Sequence, residues 1–281
     1  IPRTEEFADD VDAQVVDEAL GWLEEEAGGG AVMLILQLYG PHFPYCPPGQ
    51  DDGWVEIPDL DEGGLDLCDP NHADLLRAAE EIVPLPAVLT TRVEELYDEE
   101  VAATSAEIDR FLDGWDAQRS RPRVTVVVTD HGEAFGEHGL FLHGRSLHRE
   151  TSDCHMAFHG DGIPSRIVDR PVELLDLAPT LMSQLDVAPS PRWRGLDLSP
   201  LFLDPDLPFE ARTYQTSSLL DITQRAVSLE GDDGHRYRLL VWDDGREPEL
   251  YDRTLDPGET TDLAADSAAA DILEQLELLL E

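Results

Sequence analysis

A cluster of residues able to bind a cation follows a β-branched stretch of the sequence. Residues 124–129 read VTVVVT and run directly into Asp130 and His131. The next twelve residues add two carboxylates and two imidazoles, Glu133, Glu137, His138 and His143. Carboxylate oxygen favours Mg²⁺ and Ca²⁺ and imidazole nitrogen favours Mn²⁺ and Zn²⁺, so the mixed set predicts a divalent metal site. Gly132 permits a sharp backbone turn, through which Asp130 and His131 are expected to reach one ion.

Each of these assignments has a simpler alternative. Asp130 could cap the following helix beside an exposed His131. His143 could donate to an anionic substrate or protonate a leaving group, or it could be a loop residue without a chemical role. His42, in the proline-stiffened loop PHFPY, suits rigid presentation of one imidazole, or it could pack on Tyr45. The remaining acids and His138 could orient the ligands or be solvated.

Alternating helices and apolar strands are predicted to position these residues. Residues 7–26 carry apolar side chains at helical spacing, and a second such stretch runs from about 91 to 115. The run AVMLILQL at 31–38 is typical of a strand buried on both faces of a mainly parallel sheet. This alternation predicts an α/β layered fold. Ligands in such folds bind beyond the carboxyl ends of strands, where both His42 and Asp130 fall.

The last quarter of the chain has a different pattern. Short strands separated by GDDG and DDG turns are predicted there, notably at 235–242 and 248–252, followed by a helix from Ser267. The sequence therefore predicts an α/β domain over residues 1–204 and a small antiparallel subdomain over residues 205–281.

The composition excludes several classes of function. The formal net charge is −42, from 61 acidic and 19 basic residues, and lysine is absent. Because 41% of the residues are hydrophobic, this charge is expected to coat a folded core, as in a salt-adapted or acidic proteome. Phosphate binding needs clustered basic side chains, so neither nucleic acid nor an anionic lipid surface is an expected partner.

Cysteine usage and hydropathy give further expectations. Cys46, Cys68 and Cys154 are widely spaced and odd in number, which predicts neither a disulfide framework nor a zinc knuckle. The longest apolar run, residues 31–39, is far short of the roughly 20 residues that a membrane span needs. The chain begins with Ile1 rather than Met, which is typical of a processed chain or a piece of a longer one. Compartment and oligomeric state stay open.

Six segments, in order, resemble the signature segments of the sulfatase family within the alkaline phosphatase superfamily. They are LQLYGPHFPYCPP, VTVVVTDHGEAFGEHGLFLHG, LHRETSDCHMAFHGDGI, VELLDLAPTLMSQLDV, WRGLDLSPLF and ELYDRTLDPGETTDLA, and the resemblance covers about residues 10 to 265. It implies an alkaline-phosphatase-like mixed, largely parallel sheet flanked by helices, with a small antiparallel subdomain. It also implies a hydrolase of sulfate esters, or of phosphate or phosphonate esters in close relatives.

The resemblance implies a role for four residues. Asp130 and His131 fall on the family's second pair of metal ligands, for Ca²⁺, Mg²⁺ or Mn²⁺. His42 matches a substrate-contacting histidine, and His143 takes the place of a Lys or His that contacts the sulfate group and the nucleophile. The metal and the imidazoles would neutralise the anionic ester and the charge on its leaving oxygen. The implied partner is a sulfate-ester or phosphate-ester small molecule or glycan.

One departure from the family pattern concerns the nucleophile. In the family, the first pair of acidic ligands and a C/S-x-P-S-R segment, whose Cys or Ser becomes formylglycine, lie well upstream of the HxPY loop. The roughly forty residues before that loop contain neither. The segment GIPSR at 162–166 places Gly162 where the nucleophile is required, and it lies downstream. This chain is therefore predicted to be inactive alone, because no covalent intermediate can form.

Smaller departures leave the choice of function open. Gly40 replaces the acid common before the Pro-His pair, His148 replaces a usual Tyr, and His155 and His159 interrupt an apolar segment. The Asp-His pair, where arylsulfatases tend to have Asp-Asn, leaves the metal and the choice between sulfate and phosphate undecided. Three functions follow: the carboxyl-terminal portion of a sulfatase, a phosphodiesterase or phosphoglycerol transferase, and a non-catalytic binding or structural module.

Overall fold

The computed structural model describes most of the chain, which divides into two compact units. The described residues are 11–26, 32–47, 49, 53–57, 60, 63–73, 76, 86–118, 123–207, 212–219 and 222–280. One unit comprises Ile1–Arg121 with Phe135–Leu142, and the other comprises Pro122–Ala134 with His143–Glu281. The boundary between residues 204 and 205 stays a prediction.

The α-helices of the described residues are α1 (Val11–Glu26), α2 (Ala87–Gln118), α3 (Arg149–Ser152), α4 (Leu177–Gln184), α5 (Ser199–Leu203) and α6 (Ala270–Leu280). The two long helices that the sequence predicts are α1 and α2. The prediction of a helix over residues 7–26 is confirmed from Val11 onward, and residues 7–10 lie outside the described part. Single 3₁₀ turns precede α4 and α6.

The strands of the described residues form four small sheets. They are β1 (Trp54–Glu56), β2 (Gly64–Asp66), β3 (Val124–Val128), β4 (Ala134–Phe135), β5 (Phe141–Leu142), β6 (Met156–Gly160), β7 (Arg212–Leu219), β8 (Ile222–Glu230), β9 (Arg236–Trp242) and β10 (Glu249–Asp252). β1 pairs with β2, β3 with β6 and β4 with β5, and the fourth sheet has the order β10-β9-β8-β7. The α/β class is confirmed, and so is the antiparallel carboxyl-terminal sheet.

The prediction of a doubly buried strand at residues 31–38 is wrong for the described residues. Residues 32–39 form no strand, and their side chains alternate between partial burial and exposure. Met33 and Ile35 are 66% and 79% exposed. A buried strand needs hydrogen-bonded neighbours on both sides, and the described residues supply no ladder partner for this segment.

In the first unit, a buried carboxylate fixes the end of that segment. Asp12 of α1 accepts hydrogen bonds from the backbone N–H groups of Tyr39 and Gly40, at 2.6 and 3.1 Å, and from the Thr104 hydroxyl of α2 at 2.6 Å. Asp12 therefore joins both helices to the start of the His42 loop. A Cβ at Gly40 would lie 2.1 Å from the Thr104 Oγ1 atom, which explains why glycine replaces the acid common in the family.

The prediction that the cysteines form no disulfide is wrong. Cys46 and Cys68 are bonded, with their Cα atoms 4.7 Å apart, and Cys154 is the free cysteine. The backbone N–H of Tyr45 donates to the Leu67 carbonyl at 2.9 Å, so the two chain segments already run side by side next to the bridge. Their closeness depends on the packing of distant segments, and spacing along the sequence does not reveal it.

The second unit combines the β3–β6 ladder with the four-stranded sheet. β3 and β6 are antiparallel, with Val126 opposite Phe158. Helix α6 packs on β8 and β9, and its Leu276 is fully buried in a cluster with Val227, Leu239 and Leu250. The sequence-predicted strands at 235–242 and 248–252 and the helix from Ser267 are confirmed. No helix of the described residues is long and apolar enough to cross a membrane.

Candidate active site

The candidate site begins at the carboxyl end of β3, where the backbone passes unusually close to a second segment. The N–H of Gly132 donates to the Thr151 carbonyl at 3.2 Å. A Cβ at this position would lie 2.2 Å from the Glu150 carbonyl oxygen. Gly132 is not among the glycines with positive φ, so close approach rather than a left-handed turn requires glycine here.

Asp130 and His131 present their side chains together at this strand end. Both are exposed, and the Oδ2 atom of Asp130 lies 3.8 Å from the Nε2 atom of His131. The other Asp130 oxygen, Oδ1, accepts from the His131 backbone N–H at 3.0 Å. The Nδ1 atom of His131 lies 2.9 Å from the Gly132 carbonyl, which can only accept, so Nδ1 carries the proton. In the neutral ring, Nε2 then holds the lone pair that a metal would use.

The third predicted site residue, His143, lies against His131. The two rings are 4.0 Å apart between centroids and inclined by 32°. The Nδ1 atom of His143 lies 3.0 Å from a carboxylate oxygen of Glu133, whose side chain is buried. Glu133 thus fixes the orientation of the His143 ring. The sequence raised Glu133 only as one of several acids that could orient a ligand.

His42 belongs to the first unit. Its Nδ1 atom lies 2.6 Å from the Phe43 carbonyl, and its ring faces Tyr39 with centroids 5.9 Å apart. Tyr45, which the alternative interpretation placed against His42, is fully buried and packs edge-on against Phe43. The proposed role of His42 stays a prediction.

His148 and the free cysteine Cys154 each have defined hydrogen-bond partners. His148 is buried, with Nδ1 2.5 Å from the Ser146 hydroxyl and Nε2 2.9 Å from a Glu249 carboxylate oxygen. Cys154 donates its S–H to the Asp130 carbonyl at 3.0 Å. Burial and the nearby carboxylates of Asp130 and Asp153 raise the pKa of this thiol, so it stays protonated at neutral pH.

A cavity of about 750 Å³ in the second unit contains the site. Asp130, His131 and His143 lie on its wall, together with Cys154 and the exposed His155. Ligand pockets commonly have volumes of about 300–1,000 Å³, so this cavity is large enough for a sugar-sized ligand.

A buried ion cluster that the sequence did not reveal contributes Asp153, Arg238 and Arg253 to the cavity wall. Arg238 is fully buried, and its guanidinium lies 3.5 Å from Asp153 and 3.7 Å from Glu259. Arg253 binds the same two carboxylates. Burial lowers the pKa of Arg238 while Glu259 and Asp153 raise it, yet an arginine stays charged in this setting. The cluster joins β9 and the segment after β10 to the chain next to the site.

The α/β architecture that carries the Asp-His pair matches that of solved sulfatases, which have an alkaline-phosphatase-like fold. The sequence profile of the family described as Sulfatase matches residues 2–187. The chain therefore belongs to the sulfatase family.

Individual relatives agree with this assignment. The Delta 4,5-hexuronate-2-O-sulfatase of Bacteroides thetaiotaomicron is 28% identical over 204 residues, which are 67% of this chain and 42% of the relative. A solved 2-O GAG sulfatase has a TM-score of 0.64 at 20% identity, covering 100% of this chain and 65% of that chain. Another structure, in complex with its substrate D-glucosamine-2-N,6-O-disulfate, has a TM-score of 0.61 at 15% identity, covering 96% and 68%. The chain thus spans less than half the length of the curated relative.

The residues at the strand end fit the divalent metal that sulfatases generally use. Metal–ligand distances to carboxylate oxygen and imidazole nitrogen are about 2.0–2.6 Å. Two ligand atoms 3.8 Å apart, as in Asp130 and His131, are therefore close enough to share one ion. The donor set also fits, because one ligand is anionic and the other has its lone pair directed away from the protonated Nδ1.

Proposed function

We propose that the protein containing this chain is a metal-dependent hydrolase of sulfate esters and that its substrates are sulfated sugars. The observation that carries the proposal is the arrangement of Asp130 and His131. Hydrogen bonding to the Gly132 carbonyl directs the His131 lone pair away from its own backbone, with the Asp130 carboxylate 3.8 Å from it. This pair lines a cavity with His143, in a chain that belongs to the sulfatase family.

Each proposed residue has a distinct role. Asp130 and His131 hold the cation, which is Ca²⁺, Mg²⁺ or Mn²⁺. When bound, the cation would stabilise negative charge on the ester oxygens. His143, held at Nδ1 by Glu133, contacts the sulfate group. A substrate-contacting role for His42 stays what the family resemblance implies.

The attacking group is not among these 281 residues. No C/S-x-P-S-R segment occurs in the sequence, so this chain alone is expected to bind a sulfate ester without turning it over. Turnover then requires a nucleophile supplied from outside the 281 residues.

The sugar part of the substrate is supported by the relatives. One relative is a hexuronate sulfatase, one is a GAG sulfatase, and one binds a disulfated glucosamine. A cavity of about 750 Å³ is consistent with a ligand of that size.

The test measures metal content and ester hydrolysis in the natural full-length protein. We expect Asp130→Ala to lower metal affinity by roughly 100-fold and to abolish turnover of an aryl sulfate, because it removes the anionic ligand. Asp161→Ala is the matched control, since Asp161 is an exposed aspartate in the turn after β6. The metal assignment is wrong if Asp130→Ala changes neither quantity.

Two further outcomes distinguish the other functions. Faster hydrolysis of an aryl phosphate than of an aryl sulfate would make the protein a phosphoesterase of the same superfamily. Binding of a sulfated sugar without turnover by the full-length protein would indicate a non-catalytic binding module.

A further inference from the structure

The wall of the cavity is far less acidic than the chain as a whole. Acidic residues outnumber arginines 61 to 19 in the sequence. The cavity wall, in contrast, has five arginines and four acidic residues, together with His131, His143 and His155. Guanidinium groups are therefore concentrated beside the candidate site.

Two of the five arginines belong to the buried ion cluster. Arg238 is 1% exposed, and both it and Arg253 are held by Asp153 and Glu259. A ligand would have to break buried ion pairs to use them, which is strongly unfavourable. We assign these two arginines a structural role.

The other three arginines are accessible and loosely held. The side chains of Arg149, Arg170 and Arg236 are 43%, 24% and 36% exposed. Arg149 approaches Asp153 at 3.7 Å, which is beyond hydrogen-bond range.

The carboxylates that Arg170 and Arg236 contact are themselves exposed. Arg170 meets Glu230 at 3.5 Å and Arg236 meets Asp169 at 2.9 Å, each through a single terminal nitrogen among contacts with described residues. Glu230 and Asp169 are 40% and 79% exposed. Such surface pairs contribute little to stability, and each guanidinium has five N–H donors, so an incoming anion can compete for them.

Arg170 and Arg236 lie in one neighbourhood. Glu230, the partner of Arg170, stands opposite Arg236 in the β8–β9 ladder, and Asp169, the partner of Arg236, precedes Arg170. Both arginines therefore line one part of the cavity wall, to which the exposed Tyr214 also contributes an aromatic side chain that suits contact with the face of a sugar.

We propose that Arg149, Arg170 and Arg236 form a second anion subsite in this cavity. It selects a sulfate ester that carries another negative group, either a carboxylate or a second sulfate. Guanidinium groups recognise both anions because their planar N–H pairs match two oxygens at once. This inference rests on the proposed function, in which the scissile sulfate lies at Asp130, His131 and His143.

Long-range electrostatics opposes a preference for dianionic sugars, so such a preference would have to come from local contacts. A chain of net charge −42 repels a dianion more than a monoanion. In about 1 M KCl the Debye length is about 3 Å, so distant charges are screened while contact pairs persist. A preference for dianions at high salt must therefore come from the residues that touch the ligand.

The experiment compares three sugars by calorimetry on the full-length protein in about 1 M KCl with a divalent cation present. They are N-acetylglucosamine 6-sulfate, glucosamine 2-N,6-O-disulfate and iduronic acid 2-sulfate. We expect at least one of the two dianionic sugars to bind about tenfold more tightly than the monosulfate, about the strength of one good charge-assisted pair. The better dianion identifies the second group as sulfate or carboxylate.

Variants then locate the preference. The preference is expressed as the ratio of the affinity for the dianionic sugar to the affinity for the monosulfate. We expect this ratio to fall toward one in the double variant Arg170→Gln/Arg236→Gln and in Arg149→Gln, while the affinity for the monosulfate stays the same. Arg170→Lys/Arg236→Lys keeps the charge, loses the paired geometry and should give an intermediate ratio, which also controls for misfolding. Arg246→Gln is the matched control, since Arg246 pairs with Asp244 and covers Trp242 away from the cavity wall.

The outcomes separate this inference from the proposed function. A dianion preference that the arginine variants leave unchanged overturns the subsite, and so does equal binding of all three sugars. Both proposals are supported if Asp130→Ala abolishes binding of every sugar and only the arginine variants bring the affinities for dianion and monosulfate close together. Failure of every sugar to bind overturns the proposed function and the subsite with it.

Discussion

Three histidines with proposed roles share one hydrogen-bond arrangement. In His42, His131 and His143 the Nδ1 atom faces an oxygen acceptor, at 2.6, 2.9 and 3.0 Å. A carbonyl or carboxylate accepts and does not donate, so Nδ1 carries a proton in each ring. Nε2 is then the nitrogen through which each ring acts on a metal or an anion, which is the arrangement typical of functional imidazoles.

At the residue scale, Gly132 is a sensitive position beside the candidate site. Gly132→Ala would place a Cβ 2.2 Å from the backbone oxygen of Glu150, which cannot move like a flexible side chain. We expect the free energy of unfolding to fall by about 1–3 kcal/mol and the metal affinity to fall with it, because Asp130 and His131 must shift. Thermal unfolding and metal titration measure the two effects.

A glycine with open space provides the control for that prediction. Gly21 lies within α1, and a Cβ added there would meet no atom within 4 Å beyond its chain neighbours and its own helix backbone. Gly21→Ala should raise stability by about 0.5–1 kcal/mol, since alanine is the better helix former. Equal effects of the two substitutions would contradict the close-approach argument.

At the scale of elements, the segment after β10 links α3, beside the candidate site, to the four-stranded sheet. Glu259 is buried in a left-handed conformation with φ 55°, and its carboxylate accepts from the Arg149 backbone N–H at the start of α3, at 2.9 Å. The same carboxylate lies 3.3 Å from Arg253. The motif LYDRTLDPGET therefore has a structural role in this unit. Through Glu259 it connects α3, which contributes to the cavity wall, to the four-stranded sheet.

Glu259→Gln tests this role. Removing the charge leaves Arg238 buried beside one fewer carboxylate, so we expect a loss of about 3–5 kcal/mol in the free energy of unfolding. Chemical denaturation measures it. The exposed Glu247 is the matched control, and Glu247→Gln should change stability by less than about 0.5 kcal/mol. A loss for Glu259→Gln no larger than for Glu247→Gln would show that the cluster contributes nothing net.

At the scale of the whole molecule, net charge is the dominant feature. With 61 acidic and 19 basic residues, most surface carboxylates have no cation of their own to pair with. Self-repulsion of this kind disfavours the compact state, and dissolved salt reduces it by screening.

The expected result is stabilisation by salt. Raising KCl from about 0.1 to 2 M should raise the midpoint of thermal unfolding by roughly 5–10 °C, the shift that a few kcal/mol produces in a protein of this size. Differential scanning calorimetry at several KCl concentrations checks it. The same osmolality of sucrose is the control for effects other than screening, and a midpoint that is flat or falls with KCl would contradict the argument.

Some features of this protein follow from the sequence because they depend on neighbours along the chain. The helices α1 and α2 and the strands β3, β9 and β10 follow from local periodicity. The adjacency of Asp130 and His131 likewise depends on two consecutive residues. The order of the six motifs, which indicated the sulfatase family, is also a property of the sequence.

Tertiary structure decided what depends on segments far apart in the chain. Residues 32–39 have the composition of a buried strand, but strand formation needs partner strands that composition does not supply. Cys46 and Cys68 are 22 residues apart, and only the folded chain brings them within bonding distance. Arg149, Arg170 and Arg236 share one cavity wall because α3, the segment before α4 and the carboxyl-terminal sheet all contribute to it. Local preferences act over a few residues, whereas such contacts are set by the packing of whole elements.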